Sequence, residues 1–314
     1  MAKYAFGLML LSPLVAEFLL GNIPITMLVA LVALVPLYGG GALLIREVAR
    51  RRGLGWPGIV LLALAYAVLE EGLVTQSLFN PSWAGLRMLD YGWVPALGMG
   101  AWWTVFVLAI HSVWSICVPI ALMESLARSD RPWLGKVGLT VVSLVFVLGI
   151  ALSAVFMNAT PYLPSVPQLV GTGVVIVGLV AAALLWRPAG RPLAARAPSP
   201  WVVLGLTLVA GVLFWAPALV YAGVPAWVSV AWYLVLYGTA AVLIARWSRS
   251  AGWGGRHTLA LAGGGLLTYA WHGFAQPPAV PAPAAVDLAG NAFFVLAAVA
   301  LLLLAARRTA SAVL

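Results

Sequence analysis

Charge is what this 314-residue sequence has least of: only 8% of its residues are Asp, Glu, Lys or Arg, about a third of the share usual in a soluble domain. With 64% hydrophobic residues and a mean hydropathy of +1.06, that scarcity excludes a soluble globular fold and leaves a polytopic membrane protein. A single cysteine, Cys117, excludes an intramolecular disulfide and reads as a packing residue in an apolar run. Walker, GxGxxG, HExxH and Cys-based metal motifs are all missing, so the sequence assigns no nucleotide, cofactor or metal. Two histidines with a glutamate could ligate zinc, but not at a known spacing. The net charge of +9 does not indicate nucleic acid, because the basic residues sit in short clusters between apolar segments, as membrane topology places them.

What the sequence has in quantity is long apolar runs. Ten segments are long enough to cross a bilayer, at roughly 4–20, 24–46, 56–79, 98–123, 134–157, 168–186, 201–222, 225–246, 257–276 and 287–306. The predicted fold is an all-α transmembrane bundle. The run after Lys3 imitates a signal peptide, but Glu17 interrupts it and it reads as a retained first span. Basic clusters such as "REVARRRG" (46–53), "ARSDRPWLGK" (127–136) and "ARRT" (306–309) fall at every second connection and at the C-terminus, so both termini are expected in the cytoplasm of a bacterial plasma membrane. Tryptophans near span ends, among them Trp56, Trp102, Trp103, Trp133, Trp186 and Trp201, read as interfacial anchors facing lipid. His257, in a basic loop, reads as solvated.

"YGGGALLIREVARRRGLG" (38–55) laid over "YGTAAVLIARWSRSAGWG" (237–254) gives eight identities in eighteen positions without a gap: Tyr38, Gly39, Ala42, Leu44, Ile45, Arg50, Gly53 and Gly55 recur. Extending the match pairs Glu17 with Tyr221, Glu71 with His272 and His111 with Asn291. Spans 1–4 (residues 1–125) and 7–10 (201–314) are thus predicted to be parallel repeats, joined by spans 5 and 6 and a Pro/Arg-rich linker (126–200), with a site between the halves.

The polar residues inside the spans are few and costly, at least about 2.5 kcal/mol for an Asp at a helix centre, which makes each a candidate. At 1.5 Å per residue Glu17, Glu70, Glu71 and His272 share one depth, roughly 20 Å into a core about 30 Å thick. His111 lies near the middle and Asn291 enters from the outer side. Neighbours on an α-helix point about 100° apart, so one of Glu70 and Glu71 is expected to face a cavity while the other braces a helix. Arg46, Glu47 and Glu124 lie near helix ends, where salt bridging explains them.

Glu-Glu on one span, His on the next, and later His272-x-x-x-Gln276 resemble the EExxxR, FxxxH and HxxxN/D motifs of the CAAX protease and bacteriocin-processing (CPBP) family of intramembrane glutamate proteases. That resemblance implies a metal-independent hydrolase with Glu70 or Glu71 as base, His111 and His272 as partners and Gln276 as oxyanion donor. Thr75 stands where the family has Arg, and Val107 where it has Phe. "YGGGALLIRE", "EEGLVTQSLFNP" and "HSVWSICVPIALMESL" also resemble an uncharacterised family of multi-pass proteins in actinobacteria, which implies no activity. The same polar set suits two other functions: an acid/base enzyme acting on an isoprenoid or lipid, and a proton-coupled transporter. In each the partner is an apolar or membrane-embedded substrate among membrane lipids, with Gln276, Asn291, Glu17 and Tyr221 as candidate binding residues.

Overall fold

A computed structural model describes residues 1–157, 162–186, 192–220 and 223–310. Tyr221, the "NAT" tripeptide at 158–160 and part of the expected linker (187–191) lie outside them. Ten long helices account for the apolar runs: α1 (Ala2–Leu19), α2 (Ile25–Arg52), α3 (Gly55–Val74), α4 (Ala101–Ala127), α5 (Lys136–Met157), α6 (Val166–Leu185), α7 (Pro200–Val220), α8 (Ala226–Trp247), α9 (Gly255–His272) and α10 (Ala284–Ala310). Among the described residues strands are limited to two short pairs, β1 (Trp93–Val94) with β2 (Met99–Gly100), antiparallel, and β3 (Leu193–Arg196) with β4 (Ser250–Ala251), parallel. Part of the expected linker is therefore paired to the α8–α9 turn.

Nine of these helices are long and apolar enough to cross a membrane. The tenth, α9, is the most embedded in protein: it packs on α7, α10 and α4 and carries Gly263, Gly264 and Gly265 in place of bulky apolar groups. A Cβ on Gly264 would sit 2.5 Å from Thr207 of α7, so small residues here permit the close approach that drives helix association in membranes. In α3 and α4 67% of the span is buried, against 11% in α6. The first four helices and α9 form an inner set, and α5, α6 and α8 give most of their surface to lipid.

The helix ends follow from local chemistry. α2 runs through Arg52 and stops at Gly53, whose φ of 64° is the left-handed cap that glycine adopts without strain. Thus "REVARR" forms the last turns of a helix, where a loop was expected. Pro200 and Pro225 sit at helix starts, where a missing N–H costs nothing. Ser165 and Gln168 close a capping box at the head of α6.

Both chain ends lie at one end of the bundle: Arg308 of α10 donates to the Tyr4 hydroxyl of α1 (2.7 Å) and to Leu126 O of α4 (2.9 Å). The basic connections share that end, where Arg46 reaches Arg131 O. Connections poor in basic residues meet at the other, through Ala279 N to Asn22 O, Tyr162 Oη to Phe79 O and Tyr91 Oη to Val224 O. Several tryptophans expected to face lipid do not. Trp102, Trp103 and Trp133 are buried, the last stacked over the Arg46 guanidinium at 3.3 Å, while Trp201 is 80% exposed. His257 also departs from expectation: it is buried, accepts from Gly254 N at Nδ1 and bonds Pro198 O through Nε2, which ties the start of α9 to the β3 segment.

Candidate functional site

Four turns among the described residues widen from α-helix to π-helix: Leu14–Leu19 in α1, Val35–Gly39 in α2, Glu70–Val74 in α3 and Ile110–Cys117 in α4. Each carries a polar side chain of one cluster: Glu17, Tyr38, Glu70 with Glu71, and His111. Prolines lie in or beside three of the four. Pro13 precedes the first turn, Pro36 lies in the second and Pro119 follows the fourth, and a proline ring removes a hydrogen bond and pushes on the carbonyl one turn back. Single π turns inside α-helices are frequent at functional sites.

The wide turn also resolves the adjacency of Glu70 and Glu71. An i→i+5 turn holds more residues per revolution, so neighbours diverge less in angle than on an α-helix. Both carboxylates reach the same imidazole, one at each nitrogen: His111 Nδ1 lies 3.0 Å from Glu70 Oε2, and Nε2 lies 2.9 Å from Glu71 Oε1. Both carboxylates thus converge on a residue of the neighbouring helix α4. All three residues are buried, at 0%, 2% and 8% exposure for Glu70, Glu71 and His111.

Hydrogen bonds fix two of the three carboxylates. Glu17 accepts from Tyr38 Oη (2.7 Å) and Asn22 Nδ2 (2.6 Å), and Tyr38 stacks on the His111 ring at 5.9 Å. Glu71 Oε2 accepts from Thr75 (3.0 Å) and from Ser77, whose own hydroxyl accepts from Trp103 Nε1 (3.0 Å). Glu70 is different. Its Oε1 makes no hydrogen bond of ordinary geometry, and neither does the neighbouring Tyr66 hydroxyl, one turn earlier on the same face of α3. Among the described residues no Lys or Arg pairs with Glu17, Glu70 or Glu71.

The arrangement constrains its own protons. A neutral imidazole has one N–H to donate, yet two carboxylates flank the two nitrogens. Ser115 Oγ also lies 3.3 Å from Nδ1, so the ring's tautomer decides which neighbour each nitrogen serves.

A sequence model of a family described as an uncharacterized membrane protein family matches residues 6–313. The chain belongs to that family. No curated protein and no solved structure matches it. The matched stretch of this family member includes Glu17, Tyr38, Glu70, Glu71 and His111.

Other sequence candidates lie elsewhere in this member of the family. His272 reaches the level of the cluster, since Gly273 beside it packs on Gly21 just past Glu17, but its ring stacks on Trp215 at 3.4 Å and bonds Gln276 at 3.3 Å. It joins an aromatic group of Phe106, Phe214, Trp215 and Tyr233. Gln276 accordingly stands with His272 and apart from Glu70 and Glu71. Asn291 donates to Gly273 O (3.1 Å) and ties α10 to the end of α9. Thr75, at the position of the missing arginine, holds Glu71. Sequence reasoning missed Tyr38, Tyr66, Asn22 and Ser77. The signal that could have found Tyr38 was Pro36 inside an apolar run.

Proposed function

We propose that this protein is a membrane-embedded hydrolase in which Glu70, Glu71 and His111 activate a water molecule against an ester or amide bond of an apolar, membrane-borne substrate. What supports this is the imidazole clamped between two buried carboxylates at four π turns. Glu71, held by Thr75 and Ser77, orients the ring, as the carboxylate of a hydrolytic triad does. Glu70 keeps one oxygen free for the water. As the water attacks, its O–H proton passes to the carboxylate–imidazole set, the new C–O bond forms and the carbonyl becomes an oxyanion. The Tyr66 hydroxyl, beside the Glu70 carboxylate, suits that oxyanion. The shared proton then moves to the leaving oxygen or nitrogen as its bond to carbon breaks.

A cleft of about 660 Å³ lies between α3, α4, α6 and the β1–β2 turn, lined by Val68, Leu78, Phe79, Leu108, Thr172 and Val175 among others. Val68 and Leu108 each stand three residues from Glu71 and His111, on neighbouring faces of α3 and α4. An apolar chain fits that lining. By the distribution of Lys and Arg, the cleft opens at the outer side of a bacterial plasma membrane and both termini are cytoplasmic.

The test is isotopic. Purified protein in liposomes of a total membrane extract is incubated in ¹⁸O-labelled water, and lipids and membrane peptides are analysed by mass. Hydrolysis places ¹⁸O in one product, and Glu71→Gln abolishes the label. Absence of label in every fraction, with solute uptake driven by a pH gradient instead, would replace this reading with the carrier that the same protons could serve.

A further inference from the structure

We infer that Glu70, Glu71 and His111 bind a divalent transition-metal ion within the membrane, which completes the water-activating site proposed above and rests on that reading for its role though not for its existence. One ligand atom from each residue can be chosen so that all three lie within 4.8 Å of one another. In a tetrahedral site with bonds of about 2.1 Å, ligand atoms stand about 3.4 Å apart. Closure thus requires movements of about 1 Å, within the reach of carboxylate and imidazole rotation. Three protein ligands with a fourth position left to water is the pattern of catalytic zinc sites.

Two further observations point to an ion. Glu70 is fully buried, and neither its two oxygens nor the adjacent Tyr66 hydroxyl makes a hydrogen bond of ordinary geometry. A buried orphan of this kind costs about 1–3 kcal/mol, more when charged, and a cation bearing a water would satisfy both. The surroundings of Glu71 are those of a ligand held in place from behind: Thr75 and Ser77 occupy Oε2, Trp103 orients Ser77, and Oε1 alone is left toward His111. Outer hydrogen bonds of that kind hold ligating carboxylates and histidines in metal sites.

The donor set selects the class of ion. Two carboxylates and one imidazole, with no thiolate, suit zinc, manganese or ferrous iron better than copper(I), and the imidazole disfavours magnesium and calcium. Cys117, on the same helix as His111, is not part of the group. An ion here would polarise its bound water toward a pKa of about 7.

Cobalt(II) is the probe. Detergent-purified protein, stripped by a chelator and titrated with Co²⁺, is expected to take up one ion per chain by elemental analysis and to develop a visible d–d band. Glu70→Gln and Glu71→Gln are expected to remove the band, and Ser77→Ala and Thr75→Val to weaken binding roughly tenfold. His272→Gln is expected to leave it intact. Wild-type protein that binds no stoichiometric Co²⁺ or Zn²⁺ overturns the proposal, as does binding that survives both glutamate substitutions. If a variant does not fold, the wild type still decides, because bound ion must raise its unfolding temperature with concentration. Stripped protein that still introduces ¹⁸O, while Glu71→Gln does not, removes the ion and keeps the hydrolase.

Discussion

Two buried charged clusters sit on the same helices, and they are built on opposite principles. Toward the basic end, Arg46 of α2 bonds Glu47 (2.7 Å) and Glu124 of α4 (3.0 Å), donates to Arg131 O and lies under Trp133. Arg50 takes Glu124 in a two-pronged pair (2.8 and 2.6 Å), and Glu47 accepts from the backbone of Trp133 and Leu134. Arg51 also reaches Glu47 (3.3 Å), so three arginines answer two carboxylates there and the carboxylates are surrounded by donors. Two turns along α2, and three to four along α4, Tyr38 and His111 join a cluster with three carboxylates and one imidazole. The first cluster is closed and ties the α4–α5 connection to α2. The second sets three carboxylates against one imidazole, and the proposed water and ion chemistry rests on that excess of acid. Five of the chain's eight acidic residues are spent on these two places: Glu47 and Glu124 in one, Glu17, Glu70 and Glu71 in the other.

The largest effect that separates them is on stability. Arg46→Met leaves Glu47 and Glu124 buried without their central partner, and the expected loss is about 3–5 kcal/mol, read as a fall in unfolding temperature in detergent. A variant as stable as the wild type would break the comparison. Glu70→Gln or Glu71→Gln should do the reverse: turnover, read by ¹⁸O incorporation, falls about 10²–10⁴-fold, while unfolding temperature stays level or rises because a buried charge is removed. Gly264→Val probes neither cluster but the close contact of α9 with α7, and overpacking there should cost about 1–3 kcal/mol. Thr75→Val removes one donor to Glu71, a net loss of about 1 kcal/mol in stability, accompanied by slower turnover. His272→Gln is the smallest: with its ring on Trp215 and its bond to Gln276, turnover should not change. A drop matching that of Glu71→Gln would restore His272 to the site and break the comparison from the other side.

Much of the site was legible in the sequence, and the missing parts share one cause. Glu17, Glu70, Glu71 and His111 stood out because an ionisable group in an apolar run is costly wherever the helix turns. Tyr38 and Tyr66 did not, since an aromatic in such a run reads as packing until its hydroxyl is seen facing a carboxylate. His272 stood out for the same reason as His111 yet turns to a different neighbour, because its depth follows from counting residues whereas its azimuth depends on how α9 rotates against α4 and α7. The tryptophans failed likewise: Trp102 and Trp103 sit where an interfacial belt would place them, but face inward.

By itself the sequence determined that the chain is helical, that it crosses a membrane many times and which connections share an end. Each of these depends on hydropathy, length and local charge, all properties of a segment read alone. Only the tertiary structure decided that Glu70 and Glu71 close on one imidazole, that Arg46 is sealed among its partners and that His272 stands aside. Those outcomes depend on helix rotation and on turns widened by proline and by contact with neighbouring helices, and no single segment encodes them.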